Sequence, residues 1–208
     1  MQSRSEAIEV LLDEIRQCKD CRPERQMTPA VYSAPKPSIM VISEMPPKRA
    51  WGDDMGGQWM RKNSIKNKGW ESGTKYEFCK WLGIVEEVDQ LVFWMERANC
   101  YVGKGRRQVY RHCSGKFVPR AIQAVRPKLV ITLGRNAARH FLPSGKLSEV
   151  VGRTFDRREG SVEYTLIPMF HPSRANIAAR TEFEEKHDES IRLAKQFIDD
   201  VKQTSFPS

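Results

Sequence analysis

Four of the five cysteines are spaced as a metal site would need them. Cys18 and Cys21 form a C-x-x-C, and Cys100 and Cys113 follow far downstream with twelve residues between them. Two short-range thiolates and two distant ones can close around tetrahedral zinc or an iron–sulfur cluster. Zinc ribbons usually repeat the C-x-x-C in their second half, so the wide second pair leans toward iron–sulfur. The plainer reading is scattered buried thiols, since free cysteine packs well in cores. An odd number of cysteines, in a chain whose first residues MQSRSEAIEV lack an apolar signal core, argues against a disulfide framework. Cys79 lies at helical spacing from Tyr76 and Gly83 and reads as packing.

A second cluster is electrostatic. Lys104, Arg106, Arg107 and Arg111 lie between Cys100 and Cys113. They could be a solvated loop, or a salt-sensitive grip on a phosphate backbone. The whole chain favours the grip. Over 208 residues, 35 Lys and Arg against 26 Asp and Glu give 35 − 26 = +9, with a pI near 9.4. Such a surplus suits a polyanion such as nucleic acid. Mean hydropathy is −0.59, yet 9% aromatics and five tryptophans are too many for a disordered chain. No run approaches the roughly 18 apolar residues of a membrane span. A soluble, intracellular, single domain over residues 1–208 is expected, and no repeat or linker interrupts it.

The elements that must position these residues alternate in type. Ile8, Leu11, Leu12 and Ile15 recur at helical spacing over 5–17, with Ser3-x-x-Glu6 as a capping box. This helix delivers Cys18 at its end. Residues 22–37 are proline-rich and read as irregular. Apolar runs predict strands at 38–43, 91–95, 128–133 and 163–168, the third being the clearest. Helices are expected over 73–83, 116–125, from Gly134 to about 140, and over 182–203, the last capped by Thr181-x-x-Glu184. Between the first strand and the 73–83 helix lies a long loop without periodicity, the kind that is functional or mobile. Alternation of this sort gives an α/β fold, a mostly parallel sheet with helices on both faces. In such folds ligands bind at the carboxyl ends of the strands. Ser43-Glu44-Met45-Pro46-Pro47, Glu96 to Cys100, and His171-Pro172-Ser173 all fall there.

Those segments, in that order and with those cysteines, resemble the iron–sulfur branch of the uracil-DNA glycosylase superfamily. The loop after the first strand is similar to that family's Gly-Glu-Ala-Pro-Gly. Ser72-Gly73-x-x-Tyr76 through Trp81-Leu82-Gly83-Ile84, Asn99-Cys100, Cys113, the stretch Arg126-Pro127 to Leu133-Gly134, and His171-Pro172-Ser173 follow in the family's sequence. The resemblance spans residues 8 to 176. It implies a three-layer α/β/α sandwich on a central four-stranded parallel sheet. It also implies a structural 4Fe–4S cluster on Cys18, Cys21, Cys100 and Cys113, and single- or double-stranded DNA carrying a damaged base as the partner. A monomer in a prokaryotic or viral cytoplasm, associated with the nucleoid, is the accompanying expectation.

The chemistry it implies is hydrolysis of the N-glycosidic bond of a flipped base. His171 would donate to charge building on the base, and Glu44 would hold the water or face the developing sugar cation. Taken alone, His171 could be a loop histidine at a strand end and Glu44 a solvated charge. Ser43 and Met45 line the same turn. Trp70 is the first choice for the aromatic floor and Trp59 the second, though either could be lid packing. Asn99 would read the base edge, or cap a turn. Ser173 and Arg174 would meet phosphates. Two departures bear on specificity. Ser43 and Pro47 replace glycines, and Pro47 carries no backbone N–H. Glu96 stands four residues before Cys100, where the family has its base-reading asparagine, and a carboxylate accepts where an amide could donate. Uracil is the expected base, with hypoxanthine or xanthine as the alternative. A non-catalytic, metal-stabilised nucleic-acid-binding protein is the reading from another class. No Schiff-base nucleophile is evident at these motifs, and none is expected.

Overall fold

Short runs of β-branched and long apolar residues become strands because both their faces are covered. In the computed structural model, which describes residues 3–20, 31–44, 74–100, 107–173 and 176–205 (backbone only at 32, 74, 107, 204 and 205), six strands form one sheet. They are β1 (Val31–Ser33), β2 (Ile39–Ser43), β3 (Val92–Glu96), β4 (Leu129–Leu133), β5 (Phe155–Glu159) and β6 (Val162–Met169), in the order β1-β3-β2-β4-β6-β5. The central four, β3-β2-β4-β6, are parallel, as the sequence implied. Each edge carries an antiparallel strand that the sequence did not suggest. β1 is three residues inside the proline-rich stretch, too short to show a period. β5, Phe-Asp-Arg-Arg-Glu, is a polar edge strand turned back onto β6 at Gly160, whose φ of +57° suits a tight hairpin.

Helices cover both faces. They are α1 (Arg4–Gln17), α2 (Thr74–Leu82), α3 (Val88–Leu91), α4 (Arg107–Val125), α5 (Arg135–Ala138), α6 (Leu147–Val150), α7 (Ile177–Glu182) and α8 (Glu184–Ser205). Alternate strand residues divide the core. Met40, Ile42, Phe93, Met95, Val130 and Leu166 pack with α1 and α4. Val41, Val92, Trp94, Ile131, Ile167 and Met169 pack with α2 and α8. This is the strand period of two expressed as three layers.

α1 is built as its sequence dictates. Ser3 Oγ accepts from Glu6 N–H at 3.3 Å, Glu6 Oε2 accepts from Ser3 N–H at 2.8 Å, and Ile8, Leu11, Leu12 and Ile15 are buried. Two helix boundaries differ from expectation. α4 starts at Arg107 rather than 116, so Cys113 sits within a helix and not in a loop. Gly115, a residue that disfavours helix, hid its first turns, whereas Pro119 lies inside the stretch already read as helical. Thr181 does not cap α8. It lies in α7, where its hydroxyl donates to Ile177 O at 3.2 Å.

Candidate active site

All four parallel strands run the same way, so their carboxyl ends form one rim. β2 hands the chain to Glu44, β3 to Arg97, β4 to Gly134, and β6 to Phe170 and His171. The turns are tied across the rim: Arg97 N–H donates to Ser43 O at 2.7 Å, Ala98 N–H to Glu44 O at 3.0 Å, and Gly134 N–H to Met169 O at 2.8 Å. Gly134 has φ +84°, and a Cβ there would lie 3.3 Å from His171 Cβ. The glycine thus serves both the backbone turn and the close seat of the histidine.

Glu44 is half-buried and held from two sides. Tyr110 Oη donates to its Oε1 at 2.9 Å, and Asn136 Nδ2 donates to the same oxygen at 2.7 Å. Behind them, Arg97 Nη1 donates to Asn136 O at 2.5 Å, and its guanidinium lies 5.7 Å from the Tyr110 ring centre.

His171 is half-buried with its tautomer fixed. Ser173 N–H donates to Nδ1 at 3.2 Å. A backbone amide can only donate, so Nδ1 carries the lone pair and Nε2 carries the proton. Burial holds the imidazole below the ordinary histidine range, Arg180 and Lys75 push the same way, and Glu44 opposes them. Arg180 Nη1 donates to His171 O at 2.9 Å and Ser173 O at 3.0 Å, and Asn176 Nδ2 donates to Ser173 Oγ at 2.8 Å. Ser173 is therefore first of all a loop-holding residue here.

Next to Glu44 lies a buried charged pair. Glu96, 2% exposed, ends β3 opposite Ser43 of β2. Ser43 Oγ donates to its Oε2, Trp94 Nε1 donates to Oε1 at 3.3 Å, and Lys75 Nζ is 3.8 Å from Oε1 and 4.5 Å from the Trp94 ring centre. Burial raises the Glu96 carboxyl and lowers the Lys75 ammonium to about 8. So a lysine does reach the rim, from the first turn of α2.

Asn99, expected at a base edge, is instead 1% exposed and engaged at both ends of its amide. Its Oδ1 accepts from Glu96 N–H at 3.1 Å, while its backbone N–H and Nδ2 approach Cys113 Sγ at 3.4 and 3.7 Å. It links the end of β3 to a candidate metal ligand. Cys18 and Cys113 share the α1–α4 core, and Asp20 ties the chain beyond Cys18 to α4 through Lys116 Nζ at 2.7 Å and His112 Nε2 at 3.1 Å. Cys100 is half-buried beside Asn99. Among the described residues, no group of three or more His, Cys, Asp or Glu side chains is arranged around a common metal position. The donor chemistry nonetheless fits a thiolate-held group: amide N–H groups aimed at Cys113 sulfur are the outer-shell hydrogen bonds that tune thiolate ligands. Cys79 is buried against β3, its thiol pushed up to about 12, as a packing residue should be.

Arg111 is exposed on α4. Cys21, Met45, Trp59, Trp70, Lys104, Arg106 and Arg174 lie outside the described residues, and Arg107 is described only as the first residue of α4.

The fold and site together define an α/β protein with a carboxylate and a neutral histidine on one carboxyl rim. The family is narrower. The chain belongs to the uracil DNA glycosylase superfamily, whose model matches residues 30–195. That is a superfamily of DNA repair glycosylases, hydrolases whose partner is DNA. Among curated proteins, none matches the chain. No helix among the described residues is long and apolar enough to cross a membrane.

Proposed function

We propose that the protein is a monofunctional DNA glycosylase that flips a damaged base out of the stack and hydrolyses its N-glycosidic bond, with uracil as the base. The observation that carries this reading is that Glu44, just past β2, and an Nε2-protonated His171, just past β6, stand on the same carboxyl rim of the parallel strands. Flipping costs a few kcal/mol. The C1′–N1 bond then breaks, its electron pair passing to the base and leaving an oxocarbenium-like sugar. His171 Nε2–H donates to the base carbonyl beside the breaking bond, and its hydrogen bond strengthens as negative charge builds there. Water adds to C1′ and its proton passes to Glu44, the departing base anion takes up a proton from solvent, and Glu44 returns its own to solvent, so that base and sugar together gain the elements of one water. Arg111 and the other basic residues between Cys100 and Cys113 supply salt-sensitive backbone contacts, joined by Arg174. Trp70 is the residue proposed to stack on the flipped base, and Met45 to contact it.

Lys75 is better read as a structural cation than as a nucleophile, because Glu96 and the Trp94 ring hold its ammonium. The substrate panel is the direct test. Oligonucleotides with a single uracil, hypoxanthine or xanthine, single- and double-stranded, should yield alkali-sensitive abasic sites with uracil above all. No adduct should form with borohydride. A second reading, excision of hypoxanthine or xanthine, rests on Glu96 and Ser43 standing where the resemblance places an asparagine and a glycine, so that the rim behind the pocket is built differently. Preference for a purine base would select it, and a panel with no excision would reject the glycosylase reading.

Cys18, Cys21, Cys100 and Cys113 would hold a 4Fe–4S cluster. When bound, it supplies a covalent brace between the chain after α1, the chain after β3 and α4. It takes no part in the hydrolysis. Purified protein should be brown and contain iron and acid-labile sulfide in equal amounts. Cys113→Ala should lose the colour and much of the soluble yield, whereas a colourless wild type containing zinc would overturn the cluster.

A further inference from the structure

The two donors to Glu44 come from elements that share nothing in sequence. Tyr110 lies in the first turn of α4, one turn before Cys113, and Asn136 lies in α5, just past the end of β4. Both converge on Oε1, at 2.9 and 2.7 Å, and among the described residues Oε2 takes no hydrogen bond. Two donors on one oxygen restrain the carboxylate's rotation and leave its second oxygen available to another partner. The grip is itself supported, since Arg97 donates to the Asn136 carbonyl at 2.5 Å and lies over the Tyr110 ring.

We infer that Tyr110 and Asn136 are positioning residues for the hydrolysis, fixing Glu44 through Oε1 so that Oε2 is the oxygen that orients the water. The inference rests on the glycosylase reading above. It gives α4 two duties, the DNA-facing and cysteine-bearing helix also aiming the site's carboxylate. A small rotation of an unsupported carboxylate would misplace the water, and losses from misplacement fall on turnover rather than on substrate affinity.

The test is a double-mutant cycle on the full chain, with an oligonucleotide that the wild type excises. Tyr110→Phe and Asn136→Ala should each lower kcat by about 10-fold, with KM held within about twofold and the melting temperature little changed. On a Glu44→Gln background the same changes should cost less than about twofold, because the group they aim is already lost. Equal losses on both backgrounds, or an unchanged kcat, would overturn the inference while leaving the glycosylase reading intact. A wild type that excises no base overturns the glycosylase reading and this inference with it.

Discussion

His171→Ala should lower base excision by about 10²- to 10³-fold, the scale of losing one preorganised donor to a developing charge. That corresponds to about 2.7–4 kcal/mol of transition-state stabilisation. The loss is large because the imidazole is already in its reactive form. Ser173 N–H occupies Nδ1, so the proton resides on Nε2, and Arg180 fixes the loop through the carbonyls of His171 and Ser173. None of this geometry has to be assembled during the reaction. His171→Gln, which retains an N–H donor on a longer stem, should recover part of the rate. Single-turnover kinetics on the excised oligonucleotide provide the measurement, and an alanine variant within about threefold of wild type would remove His171 from the chemistry.

The protonation of His171 has a direction in pH. Burial first, then Arg180 and Lys75, hold it below its ordinary value, so the neutral donor persists as pH falls through about 6.5. Excision should continue below that point and decline only once the lowered pKa is reached. Stability moves with the same sign. His140, lowered to about 4, and His187 share the depression caused by burial. In the unfolded chain these groups titrate near 6.5, so below that pH the unfolded state binds more protons than the folded one. Their contribution to stability is fully present above about 6.5 and is lost as pH falls through the folded values.

The parallel sheet was legible in sequence because its strands are buried on both faces and read as unbroken apolar runs, Ile39–Ser43 and Leu129–Leu133 most plainly. Once those runs were placed, the rule that ligands gather at carboxyl ends drew out Glu44 and His171 directly. The same rule applies to Asn136, three residues past Leu133 at the end of β4. Tyr110 carried no such signal. It lies in the turns of α4 before Gly115 that did not read as helix, and its hydroxyl reaches Glu44 only through tertiary packing. Lys75 stands inside the Ser72–Tyr76 stretch, but its place at the rim was not legible because its partner Glu96 is far away in the chain. Asn99 shows the limit of motif transfer. Its residue type suited a base edge, but its neighbours Glu96 and Cys113 drew the amide inward.

Glu44→Gln should lower excision by about 10²- to 10³-fold while leaving the fold intact, and the isosteric change separates charge from shape. Glutamine keeps a carbonyl oxygen that can still accept from Tyr110 Oη and Asn136 Nδ2, so the contacts that stitch α4 and α5 to the end of β2 survive. What disappears is the negative charge that the proposed mechanism sets against the sugar, and with it the oxygen that would take the water's proton. Because the two steps need the same charge, the loss should fall on kcat with little change in KM. Glu44→Ala should fall at least as far in rate and also lose stability, since both donors would then be stranded in a half-buried site, each at a cost of about 1–3 kcal/mol. A glutamine variant that keeps full turnover would show that another group activates the water, and the charge of Glu44 would then serve only the local packing of the rim.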